Sequence, residues 1–388
     1  MPSKEYRILF VGENCGFVGG IERYMHQAAQ MLSEINCKTD LLTFKEAWGS
    51  ADFAAAFSRV LSLDELRADA LRYDLLVVHK IRSAEILREL KARYFTAVFI
   101  HDHECYCPRR AYYLPFTRIN CQRAYSRLRC SVCGMLRKPG RHPLDEWRQI
   151  AVDFPSLWNE IKTSQALIVL SEFMRGNLER QKVPADKILR IPPFIPVESQ
   201  DGVQCDESPE GVPLLLSVGQ LIRGKGVDQL LSALHFVKND FRLEILGDGN
   251  DADWLKELAK PFGDKVVFKG WVRKPEEYYA KARALVLPWR WQEPFGLVGA
   301  EALAQGCPLI GFDVGGIREY LIQNETGVLV PPGDINGLAE AIDMLLVNRD
   351  LSKKFGQSGR RHVATAFTQT AYLYGWKSLL EKALHARC

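Results

Sequence analysis

Two glutamates stand eight positions apart in the segment PWRWQEPFGLVGAE, which covers residues 288–301. Glu293 lies in a glycine-containing loop after a predicted strand, and Glu301 lies inside a helix that we expect to begin near Leu297. The first N–H groups of a helix, at its positive dipole end, form a site for anions. Two carboxylates in these positions can accept hydrogen bonds from hydroxyl groups such as those of a sugar. The alternative to a binding role is a structural one, in which the segment holds a helix-capping residue and a solvated glutamate.

Four cysteines in the first half have the spacing C-x13-C-x8-C-x2-C. Four thiolates can close a tetrahedral structural zinc site, so we predict Cys107, Cys121, Cys130 and Cys133 as zinc ligands. Cys105 and His103 are replacement ligands. Free cysteines in a loop and an iron–sulfur cluster are the alternatives.

A histidine and a pair of glycines mark two strand ends in the first half. His101 ends the predicted strand FTAVFIH at 95–101. Gly19 and Gly20 lie in VGENCGFVGGIERY (11–24), which reads as a strand, a loop and a helix, and glycines allow the backbone to approach a ligand. The glycine spacing is not that of a dinucleotide-binding fingerprint.

Residues 91–150 are strongly basic, with twelve Lys and Arg residues against four Asp and Glu residues. Aromatic side chains are interleaved with this charge: Tyr106, Tyr112, Tyr113, Phe116 and Tyr125. We expect this surface to attract an anionic acceptor or an anionic membrane leaflet, or to be a solvated basic face. No nucleic-acid reader motif accompanies it, so a nucleic-acid partner is not expected.

Short apolar runs alternate with helix-period stretches along the chain, which favours parallel sheets covered by helices. The expected strands of the first half are 7–12, 38–44, 74–79, 95–101, 166–171 and 187–193. Those of the second half are 213–219, 241–247, 265–270, 284–289, 307–312 and, at the edge, 329–331. The predicted fold class is α/β, with two Rossmann-like domains whose ligands bind at the carboxyl ends of the strands, in the cleft between them.

The predicted domain boundaries follow from this alternation and from the chain's 388 residues. Residues 1–193 form the N-terminal domain, with a Cys-rich insert at about 102–145. Residues 194–212, rich in Pro, Gly and acids, form a linker. Residues 213–370 form the C-terminal domain, and the helix at 371–388 is expected to cross back to the first domain.

Composition limits the class of protein. The net charge is +4, 47% of residues are hydrophobic and 25% are charged, which is typical of a globular protein with a substantial core. No apolar run approaches the roughly 20 residues of a membrane span, and the start of the chain lacks a signal-peptide pattern. We therefore expect a cytoplasmic protein, with peripheral contact at the inner face of the membrane through residues 91–150.

Four motifs in order resemble the retaining GT-B glycosyltransferases of family 4 (glycosyl transferases group 1). They are the Glu-x7-Glu segment EPFGLVGAE, the stretch from Ala302 to Leu321, the turn from Gly327 to Asp334 and SVGQLIRGKG at 217–226. The resemblance covers nearly all of residues 213–345 and, more loosely, the N-terminal half. It implies the GT-B fold and transfer of a sugar from a nucleotide-diphosphate sugar.

The resemblance also implies roles for residues of the C-terminal domain. Glu301 would hold the ribose hydroxyls, and Glu293 would contact the donor sugar. Lys225 would bind the diphosphate. The remaining implied donor contacts are the backbone amides of Phe295, Gly296, Leu297 and Val298, and the nucleobase-binding residues Trp271 and Val272. The usual arginine of the phosphate segment is Gln220 here, and Arg223 could reach the phosphates instead.

In the N-terminal domain the resemblance implies that Gly19 and Gly20 face the donor phosphates and acceptor, and that His101 supports the reaction. The expected function is therefore a retaining glycosyltransferase acting on a hydroxyl acceptor, anionic or lipid-linked, in cell-surface polysaccharide or glycolipid assembly. No catalytic metal is expected. The alternatives are a non-catalytic nucleotide-sugar-binding or scaffold protein of the same fold, and another two-domain nucleotide-sugar enzyme, such as an inverting transferase or an epimerase.

Overall fold

The computed structural model describes residues 5–114, 119–135, 147–197 and 211–386. The chain divides into two compact units. The first comprises residues 1–117, 121–192 and 370–388, and the second comprises residues 118–120 and 193–369. Residues 198–210 of the expected linker lie outside the described residues, as do residues 115–118, with Phe116, and 136–145 of the expected insert.

The first unit is built on a parallel sheet. Its strands are β1 (Tyr6–Val11), β2 (Asn14–Cys15), β3 (Cys37–Leu42), β4 (Lys45–Glu46), β5 (Arg59–Leu61), β6 (Leu75–Val78), β7 (Thr96–Phe99), β8 (Ala166–Val169) and β9 (Ile188–Arg190). Seven of them form one sheet in the order β5-β3-β1-β6-β7-β8-β9, and β2 pairs with β4 separately. Every residue of β6, β7 and β8 is buried, because helices cover both faces of a parallel sheet.

Helices of the first unit begin at side-chain caps in several places. They are α1 (Gly20–Ser33), α2 (Ser50–Ala54), α3 (Leu63–Ala68), α4 (Ala84–Arg93), α5 (Arg127–Met135), a π-helix (Gln149–Asp153), α6 (Phe154–Lys162) and α7 (Glu172–Arg180). Ser62 and Glu65 form a capping box on α3. Ser83 and Ser171 cap α4 and α7 by accepting a backbone N–H bond.

The second unit repeats the scheme with a six-stranded parallel sheet. Its strands are β10 (Leu214–Val218), β11 (Arg242–Leu246), β12 (Val266–Gly270), β13 (Ala284–Leu287), β14 (Leu309–Phe312) and β15 (Gly327–Val330), in the order β12-β11-β10-β13-β14-β15. Its helices are α8 (Val227–Leu234), α9 (Ala252–Ala259), α10 (Glu276–Tyr279), α11 (Leu297–Ala304), α12 (Ile335–Val347) and α13 (Arg349–Ala366).

The C-terminal helix α14 (Gln369–His385) returns to the first unit from residue 370. Its Trp376 is buried and stacks on Phe10 of β1, with ring centroids 5.8 Å apart. Its Tyr372 meets Tyr24 of α1 edge to face, with centroids 6.2 Å apart. These aromatic contacts bury one face of α14 against the first sheet.

The predicted fold class is confirmed, because both units have parallel sheets and helices in the predicted alternation. Every strand predicted from an apolar run is present, and β15 is an edge strand as expected. The prediction missed β5 and the β2–β4 pair, which have two or three residues each and are too short to show a periodicity. No helix in the described part of the chain combines the length and apolar character that crossing a membrane requires.

Candidate active site

The loop between β13 and α11 carries Glu293 and ends at the start of a helix. Gly296 is the residue before α11 and has a left-handed backbone, with φ of 83°. The helix then begins at Leu297, so its first N–H groups lie next to the loop. Phe295 is buried and anchors the loop against Phe367, with ring centroids 5.3 Å apart. The local structure therefore presents a helix N-terminus and a carboxylate together.

Lys225 contacts Glu293 directly. Its Nζ lies 2.5 Å from Oε2 of Glu293 and 5.1 Å from the centroid of the Trp289 ring. Both partners are partly exposed, with 23% and 26% of their side-chain surface accessible, so a ligand can reach them. The pair places a cation and a carboxylate beside the N-terminus of α11.

Glycine at 226 makes this contact sterically feasible. Gly226 follows Lys225 and has φ of 68°. A Cβ on it would overlap the carbonyl oxygen of Pro288, at the end of β13. The adjoining loop is held as well, because Arg290 binds both carboxylate oxygens of Asp228, at 3.2 and 2.8 Å. The loop after β13 is thereby fixed against the start of α8.

Glu293 is also held from its other side. Its carbonyl oxygen accepts a hydrogen bond of 2.7 Å from the backbone N–H of Gly316. Gly315, with φ of 64°, packs so closely on the backbone of Glu293 that a Cβ would overlap it. The VGGIREY stretch that the resemblance singled out thus supports the Glu293 loop.

Glu301 lies on α11, and its charge and that of Glu293 both act on Tyr320. Burial raises the pKa of Tyr320, and the two carboxylates raise it further. The Tyr320 hydroxyl donates a 2.9 Å hydrogen bond to the carbonyl oxygen of Gly296. Both carboxylates therefore lie near Tyr320, which binds the residue before α11, and Lys225 contacts one of them.

The side chain of Arg223 has different partners from that of Lys225. Its guanidinium lies 3.3 Å from the centroid of the Trp254 ring and its Nε lies 3.8 Å from Asp251. Trp271 follows β12 and is 59% exposed, and Val272 is half-buried beside it. The backbone amides of residues 295–298 span the start of α11.

In the first unit, His101 forms a hydrogen bond with His79, a residue that the sequence analysis did not single out. Nδ1 of His79 lies 2.9 Å from Nε2 of His101. Both residues line a cavity of about 170 Å³ at the carboxyl ends of β6 and β7. His79 ends the predicted strand 74–79, so the carboxyl-end rule applied to every strand would have found it.

Charged side chains form part of the lining of this cavity. Glu104 pairs with Lys80 at 3.5 Å and with Arg110 at 3.4 Å. Burial raises the pKa of Asp102 to about 6, and the charge of Glu104 adds to the increase. Arg82 pairs with Glu13 at 2.7 Å. The cavity thus combines an apolar wall with carboxylates and cations that suit a hydroxyl-rich ligand.

Gly19 and Gly20 stand at the start of α1. A Cβ added to Gly20 would meet nothing within 4 Å, and one added to Gly19 would meet only the carboxylate of Glu22, at 3.7 Å. Neither glycine has a left-handed backbone. Packing within the fold therefore does not explain why both positions are glycine.

The four predicted zinc ligands lie in the insert and form no disulfide. Burial raises the pKa of Cys107 to about 11, and the neighbouring thiols of Cys121 and Cys133 add to the increase. The backbone N–H of Ser126 donates a 3.3 Å hydrogen bond to Sγ of Cys130. As placed in the described residues, no three His, Cys, Asp or Glu side chains converge on a metal position.

Two aromatics of the basic region were expected on its surface, and for them that prediction is wrong. Tyr106 and Tyr112 are 1% and 3% exposed, because they pack around His103. The Tyr106 hydroxyl lies 2.5 Å from Nδ1 of His103. Tyr125 is half-buried against Phe154. These rings form a local core under the insert.

The family match to known proteins falls mainly in the second unit. Residues 204–362 match the family model Glycosyl transferases group 1. An exopolysaccharide phosphotransferase of Streptomyces coelicolor is 31% identical over 229 residues, covering 57% of this chain and 24% of the relative. The lipopolysaccharide core biosynthesis glycosyltransferase LpsE of Rhizobium meliloti is 28% identical over 176 residues, covering 45% of this chain and 51% of the relative. The chain thus spans about a quarter to a half of these relatives.

Structural similarity extends over the whole chain. The crystal structure of Anabaena HepE in complex with UDP-glucose superposes with a TM-score of 0.68 at 16% identity, covering 97% of this chain and 99% of that one. At this identity the likeness shows the fold alone. Residues 204–362 are accordingly similar to Glycosyl transferases group 1 domains, and the described part of the chain has the GT-B fold.

Proposed function

We propose that the protein is a retaining glycosyltransferase that moves a sugar from a nucleotide-diphosphate sugar to a hydroxyl acceptor. The observation that carries the proposal is the Lys225–Glu293 pair beside the N-terminus of α11. A departing nucleoside diphosphate builds up negative charge, which groups already in place stabilise best. Lys225 and the helix N–H groups have the right charge, so no catalytic metal is required.

The roles that we propose for the donor-site residues are those that the resemblance implies. Glu301 holds the ribose hydroxyls and Glu293 contacts the donor sugar, while Trp271 and Val272 receive the nucleobase. In the first unit, we propose His101, Gly19 and Gly20 as ligand-binding residues. The open space around Gly20 supports close approach of a ligand to that backbone. Arg223 is the weakest member of the set, because its guanidinium already stacks on Trp254.

Two observations support our proposal for the acceptor. Curated relatives named for exopolysaccharide and lipopolysaccharide core synthesis favour cell-surface polysaccharide or glycolipid assembly. The basic region 91–150 favours an anionic or lipid-linked acceptor and peripheral membrane contact.

The test has two stages. A thermal-shift screen of UDP-, GDP-, ADP- and TDP-sugars identifies the donor, because a ligand at a hundred times its Kd adds about 2.7 kcal/mol of stability. The shift is expected in the wild-type protein and not in Glu301→Gln. NMR of the product anomer then distinguishes retention from inversion. No turnover with any donor and any acceptor would favour the non-catalytic alternative. The presence of Gln220 at the usual arginine position supports that alternative.

A further inference from the structure

His79 and His101 lie at the carboxyl ends of two neighbouring strands, β6 and β7, and share a single hydrogen bond. Aromatic rings enclose the pair: Phe99 stacks on both imidazoles, with centroids 5.3 Å from His79 and 4.2 Å from His101. One imidazole must donate the proton of this bond, and the other must accept it. The choice decides which nitrogen of His101 is protonated.

Burial favours the neutral form of both rings. Burial lowers the pKa of His79 well below its usual value, and His101 lowers it further. Burial lowers the pKa of His101 to about 3, and the charge of Lys80 adds to the decrease. A neutral imidazole carries one proton on one nitrogen, so only two arrangements of the pair exist.

The second nitrogen of His79 distinguishes these arrangements. Nε2 of His79 is buried and has no hydrogen-bond partner among the described residues. If His79 accepted through Nδ1, its Nε2 would carry an N–H buried without an acceptor, beside the rings of Phe10 and Tyr24. Among buried backbone groups, an N–H without a partner is rarer than an acceptor without one, and we apply the same preference to this imidazole. The arrangement with an unprotonated Nε2 is therefore favoured.

We propose that His79 is a positioning residue whose Nδ1–H donates to Nε2 of His101, and that this bond places the only proton of His101 on Nδ1. His101 lines the cavity, and its Nε2 is occupied by His79. The group that His101 offers to a substrate is then an Nδ1–H, which binds an oxygen acceptor and cannot remove a proton. The effect on turnover rests on the proposed glycosyl transfer, whereas the tautomer does not.

Long-range ¹H–¹⁵N NMR of the histidine-labelled full chain at pH 7 tests the tautomer directly. His362 supplies an internal reference, because its Nε2 lies 3.0 Å from the carbonyl oxygen of Glu319 and must carry the proton there. We expect the opposite pattern for His79 and His101, with the proton on Nδ1 of each. A proton on Nε2 of His101, or an imidazolium at either residue, would overturn the proposal.

Two substitutions separate positioning from simple packing. His79→Asn keeps an N–H donor near the position of Nδ1, and His79→Phe keeps a ring without the donor. We expect His79→Phe to alter the His101 tautomer signal and to lower kcat about tenfold, roughly the effect of one lost hydrogen bond, with His79→Asn largely restoring both. His235→Phe, which replaces an imidazole that contacts the Phe262 ring in the second unit by a phenyl ring, is the matched control.

The outcomes separate this inference from the proposed function. Equal loss of kcat in both His79 variants, with an unchanged His101 signal, would contradict the positioning role. Absence of turnover in the wild-type protein, with His101 protonated on Nδ1, would count against glycosyl transfer and support the assigned tautomer.

Discussion

Lys225 and Glu293 are 68 residues apart in the sequence, and their charged atoms lie 2.5 Å apart. Each follows a different strand, β10 or β13, and these strands are neighbours in the second sheet. The contact forms because Gly226 allows its backbone to reach the carbonyl oxygen of Pro288. Before a donor binds, each side chain of the pair therefore already has a partner of opposite charge.

Removal of the Lys225 charge should affect turnover much more than stability. Lys225→Met removes a cation proposed to face the leaving diphosphate, so kcat should fall by roughly 10² to 10³, as when one preorganised donor is lost. The pair is partly exposed, and its contribution to the free energy of unfolding should be about 1 kcal/mol or less. Steady-state kinetics and urea denaturation measure the two effects.

The matched control is Lys265, which pairs with Asp240 at 2.9 Å on the exposed surface of the same unit. Lys265→Met should leave kcat unchanged. A fall in kcat equal to that of Lys225→Met would show that loss of any surface lysine disturbs this unit, and would remove Lys225 from the site.

Much of the fold follows from the sequence because buried parallel strands are continuous apolar runs. The segments DLLVVH and ALIVLS could be assigned on this basis, and both are strands. The Lys225–Glu293 contact could not be predicted in the same way. It depends on which strands are adjacent and on the backbone at Gly226, and neither property leaves a periodic pattern.

Side-chain environments within a segment were harder still to predict. Tyr106 and Tyr112 occur in a basic, aromatic stretch whose composition resembles that of an exposed binding surface. They are buried because they pack around His103, a contact set by the irregular chain after β7. The rule that ligands bind at the carboxyl ends of strands points to His79 as a candidate, but its contact with His101 depends on which strands are neighbours in the sheet.

Two glycine substitutions should have opposite effects on stability and function. Gly226→Ala should lower the free energy of unfolding by about 2 kcal/mol or more, because alanine is strained at φ of 68° and its Cβ overlaps Pro288. Gly20→Ala should cost nothing, or stabilise by up to about 1 kcal/mol, because it is the first residue of α1 and its Cβ meets no atom.

Turnover gives the second readout for these variants. If a ligand approaches the backbone at Gly20, then Gly20→Ala should lower kcat/KM while its urea midpoint is retained. Unchanged kinetics in a stable Gly20→Ala protein would remove Gly20 from the ligand-binding residues.

Stability should fall as pH decreases from about 6.5 towards 3, in part because of His79 and His101. In the folded state both imidazoles stay neutral, because their pKa values are depressed, whereas in the unfolded chain they take up protons near pH 6.5. At pH 5 the partly enclosed His101 should account for a loss of up to about 2 kcal/mol relative to pH 7.5. Asp102 has the opposite sign, because its raised pKa adds stability as pH falls below about 6.

Comparison of variants isolates the histidine contribution from that of Asp102. The difference in unfolding free energy between pH 7.5 and pH 5.0 should be smaller in His101→Phe than in the wild-type protein, and unchanged in His235→Phe. Identical pH dependence in the wild type and His101→Phe would show that the His101 imidazole titrates normally in the fold.

The last prediction concerns the zinc content of the Cys-rich insert. Cys107, Cys121 and Cys133 are close enough for their thiols to influence one another. In the described residues, however, they do not converge on a metal position. Zinc binding would require these thiols to draw together and lose their protons, which a tetrahedral zinc site achieves. We expect about one equivalent of zinc by elemental analysis of the purified protein, and a large loss in Cys130→Ser or Cys133→Ser.

Cys307→Ser is the control, because Cys307 is a buried cysteine of the second unit that forms no disulfide, and its loss should not alter the zinc content. Zinc below about a quarter of an equivalent would reject the site, and iron with a brown colour would replace it by a cluster. If zinc is present, its removal by a chelator should lower the thermal stability of the wild-type protein, and Cys133→Ser should show no further decrease. That comparison distinguishes a metal that holds the insert in place from zinc bound loosely to exposed thiols, because loosely bound metal would leave the melting temperature of the wild-type protein unchanged.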